Sequence, residues 1–424
     1  MSCKNNNNIE IENTEKSNRR TWVQIDLDAI SENVRIINKI LNDKSKLMAI
    51  VKADAYGHGA TFVARELAES GVDFFGVSSI DEAVQLRENG IIQNILILGY
   101  TNLSDENVKK IIKYNITQTV FDFDYAKTIS EKAEIFRGEI KIHIKIDTGM
   151  NRIGFRYTSK NKDENIISKI RKIKLLNNII CEGIFTHFAV SDDIKSNYTR
   201  EQYDLFCELV SNLEKENIYF EIKHACNSGA TINFKDMHLD YVRCGLILYG
   251  LYPSKSTTEG AVNQNIKFVP AMQLKTILSQ IHTVKKGETV SYSRTYIAGR
   301  DIVCAALPIG YADGFSRLLS NSASVIVKGR QVPVIGRVCM DQTMIDITSC
   351  PDAKVGDIAT VFGYGYSENG ENSGEYIGVD HIADMMETIN YEVVCLIGKR
   401  VPRIFYKNGK EVGELNYIIP VENK

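Results

Sequence analysis

A change of rhythm along the chain constrains its fold more than any other feature. From 28 to 250, short apolar runs alternate with amphipathic helical stretches. The apolar runs fall at 46–51, 74–77, 95–98, 118–120, 141–146, 184–186, 222–224 and 241–243. Helical spacing separates most of them, as with Ile80, Ala83, Val84, Leu86 and Arg87 in 79–89. Another stretch, 196–216, places Tyr203, Phe206, Cys207 and Val210 at helical spacing. Eight strands with crossover helices in roughly 220 residues match a (β/α)8 barrel in number and size. A doubly wound sheet shares the same local pattern. Around Pro253 to Gly260 the alternation stops in what reads as a polar linker. Beyond it come short strands and tight turns: Lys285-Lys-Gly287, Lys328-Gly-Arg330 and Lys354-Val-Gly-Asp357. One amphipathic helix over 379–388 interrupts them. The expected architecture is α/β, a TIM-like (β/α)8 barrel over 28–255 followed by a mainly-β domain over 265–424.

Residues suited to chemistry sit just after these strands. Lys52 follows the first, Arg152 the fifth and His187 the sixth. Asn227 and Ser228 follow the seventh, and Arg243 ends the eighth. In a barrel all C-terminal strand ends open on one face, so these side chains would converge. An open sheet would spread them along a row. The clustering favours the barrel.

At 424 residues the chain exceeds one ordinary core, so two domains are expected. With 44% hydrophobic and 25% charged residues it has the composition of a soluble globular protein. A formal net charge of −2 argues against nucleic acid or an anionic membrane as partner. The nine cysteines include no Cys-x-x-Cys pair, which points to reduced thiols in a cytoplasm and to no zinc site. Residues 1–20 are polar and asparagine-rich, expected to form a disordered tail and not a secretory signal. No run reaches the length of a membrane span.

The run Lys46-Leu-Met-Ala-Ile-Val-Lys-Ala-Asp-Ala-Tyr-Gly-His-Gly59 delivers a lysine to a glycine-punctuated turn at a strand end. A lysine at such a mouth is costly unless paired or used. One use is condensation with an aldehyde such as that of pyridoxal phosphate; the bland alternative is a snorkelling strand-end lysine. The loops after the seventh and eighth strands are the usual phosphate site of a barrel. They read His224-Ala-Cys-Asn-Ser-Gly229 and Asp240-Tyr-Val-Arg-Cys-Gly-Leu246. Ser228 offers a hydroxyl at a helix start, and Gly245 lets backbone approach closely. Taken alone, Asn-Ser-Gly is commonly just a turn. Arg243 in isolation could be a buried ion pair, and His187 a packed core histidine.

From about Thr21 to Phe405 the sequence resembles the alanine racemases, bacterial pyridoxal-phosphate enzymes. The cofactor-lysine run around Lys52 carries the resemblance. So do Lys145-Ile-Asp-Thr-Gly-Met-Asn-Arg-Ile-Gly-Phe155, Phe185-Thr-His-Phe-Ala189, Asp240 to Leu246 and Val290-Ser-Tyr-Ser-Arg-Thr-Tyr296. Ile335-Gly-Arg-Val-Cys-Met-Asp-Gln342 and Pro308-Ile-Gly-Tyr-Ala-Asp-Gly314 complete the set. The resemblance implies Lys52 as the cofactor lysine and one of two catalytic bases, with Tyr292 as the other. It implies Arg243 facing the pyridine nitrogen. An arginine keeps its proton, so the ring nitrogen stays unprotonated and transamination is suppressed. His187 and Arg243 would tune Tyr292, since a tyrosine of ordinary pKa near 10 is a poor base.

The resemblance also implies Tyr56, Asn227, Ser228, Gly245, Leu246 and Tyr391 around the cofactor. Arg152 would clamp the substrate carboxylate. Met340, from a partner subunit, would touch it too, and Tyr311 would line the access corridor. Lys145 matches a lysine that several relatives carry carbamylated. Where the family mostly has glycine this chain has Asn151. Ser293 and Arg294 replace the glycine and variable residue that usually follow the catalytic tyrosine. The leading strand 21–27 is expected to join the second domain.

These matches imply a cytoplasmic homodimer with shared active sites, interconverting L- and D-alanine for peptidoglycan. A serine or broad-specificity racemase of the same family is the alternative. Tyr391 argues against serine, because serine-preferring relatives carry asparagine there. Broad-specificity relatives are usually exported, and this chain shows no signal. A cofactor-carrier protein would lack the β domain and Tyr292. A decarboxylase of the same cofactor fold would pair the ring nitrogen with a carboxylate. No metal is expected.

Overall fold

The computed structural model describes residues 19–367 and 372–419. Most of the segment read as a disordered tail, 1–18, lies outside them, as do 368–371 and 420–424. The described chain forms two compact units. One holds residues 29–56 and 60–270; the other holds residues 19–28, the turn 57–59, and the described residues from 271 onward.

Eight parallel strands build the first unit: Lys46–Ile50, Phe74–Val77, Asn94–Ile97, Thr117–Val120, Ile140–Asp147, Ile179–Phe185, Ile222–His224 and Tyr241–Cys244. Each pairs with its neighbour in sequence order, and the eighth pairs back on the first through Tyr241–Lys46 and Arg243–Met48. The sheet is therefore a closed barrel, and the doubly wound alternative is excluded. Helix Leu27–Ile40 shows why the helices cover it. Ile30, Val34 and Ile37 repeat at three- and four-residue spacing and are all buried. In helix Tyr198–Lys215 the buried stripe is Thr199, Gln202, Phe206, Leu209 and Leu213. Tyr203, Cys207 and Val210 lie at its edge, half-buried.

Two local expectations need correction. The segment 253–260 is not a linker. Ser254 caps a helix, Lys255–Asn263, by accepting from the Thr257 N–H at 3.1 Å, and Ala261 is buried. Its threonine- and glycine-containing sequence carries little helical signal. Second, the helix expected over 379–388 stops at Met385, with Glu387 at φ +54° beyond it, and a further short helix, Asn390–Cys395, follows outside the expected span.

In the second unit, Thr21–Asp26 lies between Met272–Ile277, antiparallel, and Arg403–Lys407, parallel. These belong to an eight-stranded sheet that also includes Ile358–Tyr366 and Ser324–Val327. A smaller three-stranded sheet pairs Gln280–Val284, Ile302–Leu307 and Thr343–Asp346. Its apolar centre is Val284, Val290, Ala298, Ile302, Cys304 and Ile335.

Candidate active site

Closure of the barrel places Lys52, Lys145, Arg152, His187, Asn227, Ser228, Arg243 and Gly245 at the C-terminal ends of its strands. Lys52 is half-buried and opens an unusual turn. Ala53, Asp54, Ala55 and Tyr56 all have φ between +51° and +56°, a left-handed helical turn without a glycine. Each such residue costs about 1–2 kcal/mol. Carboxylates hold the turn in place. Glu82 accepts from the Ala53 N–H at 2.7 Å, and Asp54 accepts from the Ala60 N–H at 2.8 Å.

The turn carries Tyr56 inward. A Cβ at Gly245 would lie 2.5 Å from the Tyr56 hydroxyl, so only glycine lets that side chain pass. The Gly245 N–H donates to Ser228 Oγ at 3.1 Å. Tyr56, Ser228 and Gly245 thus share one corner of the barrel mouth. Asn227 acts there as a cap: its Oδ1 accepts from the Ala230 N–H at 3.0 Å and from the Ser191 hydroxyl at 2.6 Å. Leu246 is buried and starts a 3-10 turn.

Arg243 is 3% exposed. One terminal nitrogen donates to His224 Nδ1 at 2.8 Å. The other donates to the carbonyls of Thr186 and Ala225, both at 2.8 Å, and to His187 Nδ1 at 3.1 Å. None of these four acceptors is a carboxylate. Burial pulls the guanidinium down to about 10, which leaves it protonated at neutral pH. Burial, followed by the charges of Arg243, Lys145, Arg152 and Lys52, holds His187 well below the usual imidazole range. Gln202 fixes the His187 backbone by donating to its carbonyl at 3.2 Å.

Lys145 is buried, and its Nζ has no hydrogen-bond partner. Burial, then Arg243 and Arg152, pushes its pKa far below that of an ordinary lysine. The loop that follows is organised by Asp147, whose carboxylate accepts from the N–H groups of Gly149, Asn151 and Arg152. Asn151 adopts φ +56°. Asparagine is among the few residues that tolerate this left-handed position. Arg152 itself is exposed.

In the second unit, Tyr292, Met340 and Tyr311 are 66%, 53% and 42% exposed. Their loops are tied together. The Tyr311 N–H donates to the Cys339 carbonyl at 3.0 Å, and Ser291 Oγ donates to the Arg337 carbonyl at 2.6 Å. Ser293 has φ +59° and Arg294 φ +51°. Tyr391 is half-buried in helix Asn390–Cys395. Sequence reasoning missed His143, Glu182 and the role of His224, which stand below Arg243 inside the barrel. Among the described residues no group of His, Cys, Asp and Glu is arranged to hold a metal ion. None of the described helices is long and apolar enough to cross a membrane.

A closed (β/α)8 barrel whose strand ends gather a lysine, hydroxyls and an arginine, joined to a mainly-β domain, is the architecture of the alanine-racemase class of barrel enzymes. The chain belongs to the alanine racemase family. It matches the family models for the alanine racemase N-terminal domain over residues 25–253 and the C-terminal domain over 271–405. It is 44% identical over 400 residues to alanine racemase 1 of Clostridium acetobutylicum, covering 94% of this chain and 99% of that one. The solved alanine racemase of Clostridium difficile 630 is 37% identical with a TM-score of 0.87, covering 95% of this chain and all of the other. The alanine racemase of Bacillus anthracis, solved with bound L-Ala-P, is 34% identical with a TM-score of 0.85, covering 94% and 98%.

Proposed function

We propose that this chain is an alanine racemase that interconverts L- and D-alanine with pyridoxal phosphate as cofactor. The residues present fit that group. A strand-end lysine suits an aldehyde, the hydroxyls of Tyr56 and Ser228 beside the Gly245 backbone suit a phosphate, and a carboxylate-free guanidinium suits a ring nitrogen that must stay unprotonated. Asn227 and Leu246 complete the cofactor surroundings at the barrel mouth, and the family resemblance adds Tyr391. Bound pyridoxal phosphate supplies an aldehyde for the substrate amine and an electron-withdrawing ring that acidifies the α-proton.

The chain's own residues divide the remaining work. Lys52 Nζ and Tyr292 Oη each serve one face of the substrate α-carbon; one removes the proton and the other delivers its replacement. Arg152 and Met340 hold the carboxylate, and Tyr311 lines the approach. His187 accepts at Nδ1 from Arg243, which leaves its Nε2 as a donor for tuning Tyr292. The active unit is a cytoplasmic homodimer in which Tyr292, Met340 and Tyr311 serve the partner's barrel, and the D-alanine formed supplies peptidoglycan.

Arg243 is the observation that carries the reading: a buried guanidinium bonded to carbonyls and imidazoles, with no carboxylate among them. A chiral assay of the purified protein with pyridoxal phosphate, on alanine and serine side by side, tests it. Interconversion of both alanine enantiomers is expected, with serine slower. No turnover of alanine, or faster turnover of serine, overturns it.

A further inference from the structure

The lumen of this barrel is not the usual stack of branched apolar side chains. A polar column runs along it. Arg243 donates to His224 Nδ1 at 2.8 Å, His224 Nε2 meets His143 Nδ1 at 2.8 Å, and His143 Nε2 meets a Glu182 carboxylate oxygen at 3.3 Å. Lys141 donates to the other oxygen of Glu182 at 2.6 Å. Arg243, His224 and His143 are all buried.

The two ends fix the direction of every link. Arginine can only donate, and an ionised carboxylate can only accept. Between them stand two neutral imidazoles, each with one N–H and one lone pair. Three links then need three protons, and Arg243, His224 and His143 supply one apiece. His224 must carry its proton on Nε2, and so must His143. A donor in place of Glu182 would put four protons on three links, and one link would fail. Packing fixes the ring planes. His224 stacks on Phe185 at 4.6 Å and 9°, and His143 stands edge-on to Phe74 at 5.7 Å. A Cβ at Gly183 would lie 2.6 Å from the His143 ring, so glycine there makes the room. The strand register shifts between Ile142 and His143, which leaves Glu182 as an extra residue on its strand and brings it to His143.

We propose that Glu182, His143 and His224 form a one-way hydrogen-bond column that holds the Arg243 guanidinium in register, which makes them positioning residues for the group facing the cofactor ring. The proposal rests on the alanine racemase reading for its consequence, and on the column alone for its geometry. Arg243 has no carboxylate in contact, so the column delivers one to it through two rings. With a fixed acceptor on one terminal nitrogen, the other keeps its place on Thr186, Ala225 and His187.

The test uses the intact holoenzyme with 15N-labelled histidine side chains. NMR should show both His143 and His224 neutral with the proton on Nε2. Glu182→Leu should mix the tautomers, shift the visible absorbance of the bound cofactor and lower kcat about tenfold, with KM for alanine within about twofold. Glu182→Gln, whose amide oxygen still accepts, should retain activity to within about threefold. Either ring carrying its proton on Nδ1 in the wild type overturns the proposal. So does a Glu182→Leu protein that loses only thermal stability and keeps its tautomers, spectrum and kcat. Should Glu182→Leu not fold, the wild-type tautomers decide alone. A wild type that does not racemise alanine defeats the proposed function, while the tautomers of the same sample still judge the column.

Discussion

Lys145 Nζ lies 4.7 Å from the centroid of the Phe185 ring and touches no hydrogen-bond acceptor. The ring face favours a desolvated cation by about 2 kcal/mol. Burial and the neighbouring guanidinium groups oppose it and win, since the pKa of Lys145 moves well down. A neutral amine here can attack carbon dioxide. The new N–C bond forms, a proton leaves to solvent, and the resulting carbamate bears a negative charge close to Arg243 and Arg152. We predict that Lys145 is carbamylated. Protein equilibrated with 13C-bicarbonate should show a carbamate signal that Lys145→Ala lacks, and Lys145→Ala should lower kcat/KM about tenfold. Identical spectra from the two proteins would leave Lys145 an unmodified buried amine.

Buried histidines also predict the response to acid. Burial lowers the pKa of His143, His187 and His224. Each therefore binds a proton less readily folded than unfolded. As pH falls through about 6.5 the unfolded chain takes up more protons, so stability is full above that value and is lost below it. Stability should therefore fall between pH 7 and 5.5. Glu182 adds a second stage. Burial alone would raise its carboxyl, but hydrogen bonds from His143 and Lys141 bring it down to about 2. Its contribution is present above about 4.3 and disappears towards pH 2. Denaturant midpoints across this range check both stages; a midpoint unchanged from pH 7 to 5.5 contradicts the histidine assignment.

Glu82 is one of the two carboxylates that hold the turn after Lys52. Besides Ala53, its carboxylate accepts from the N–H groups of Ser78 at 2.7 Å and Ser79 at 3.3 Å. Removing it leaves Asp54 alone to hold the four left-handed residues. Glu82→Ala should cost about 1–3 kcal/mol of stability. It should also weaken pyridoxal phosphate binding about tenfold, because Tyr56 is carried by the same turn. Titration of the apoprotein with the cofactor measures this, and an unchanged dissociation constant would mean the turn holds without Glu82.

The barrel was legible because its strands alternate with helices and its chemistry-bearing residues follow strand ends. The column below Arg243 was half legible. In the fifth strand Lys141, His143, Lys145 and Asp147 alternate with Ile140, Ile142, Ile144 and Ile146. Polar residues at period two in a barrel strand mark a polar lumen. Glu182 was not legible, because a register shift brings it to His143 and no residue type marks that shift. Nor was the left-handed turn, since of Ala53 to Tyr56 only Asp54 is a residue type that visits that region. Asn151 and Ser293 adopt left-handed backbone where the resemblance expects glycine, which the residue types alone do not reveal.

Exposure of Tyr292, Met340 and Tyr311 on one connected loop cluster motivates the last prediction. Large side chains so exposed suit a surface that a second copy covers. If each active site joins Lys52 of one chain to Tyr292 of the other, Lys52→Ala and Tyr292→Ala proteins are each nearly inactive. Mixing them with subunit exchange creates hybrid dimers with one doubly defective site and one intact site. Random pairing makes half the dimers hybrids, so activity should return to about a quarter of wild type. Mass spectrometry confirms that hybrids form. If they form and activity stays at the level of the single variants, Tyr292 serves the barrel of its own chain.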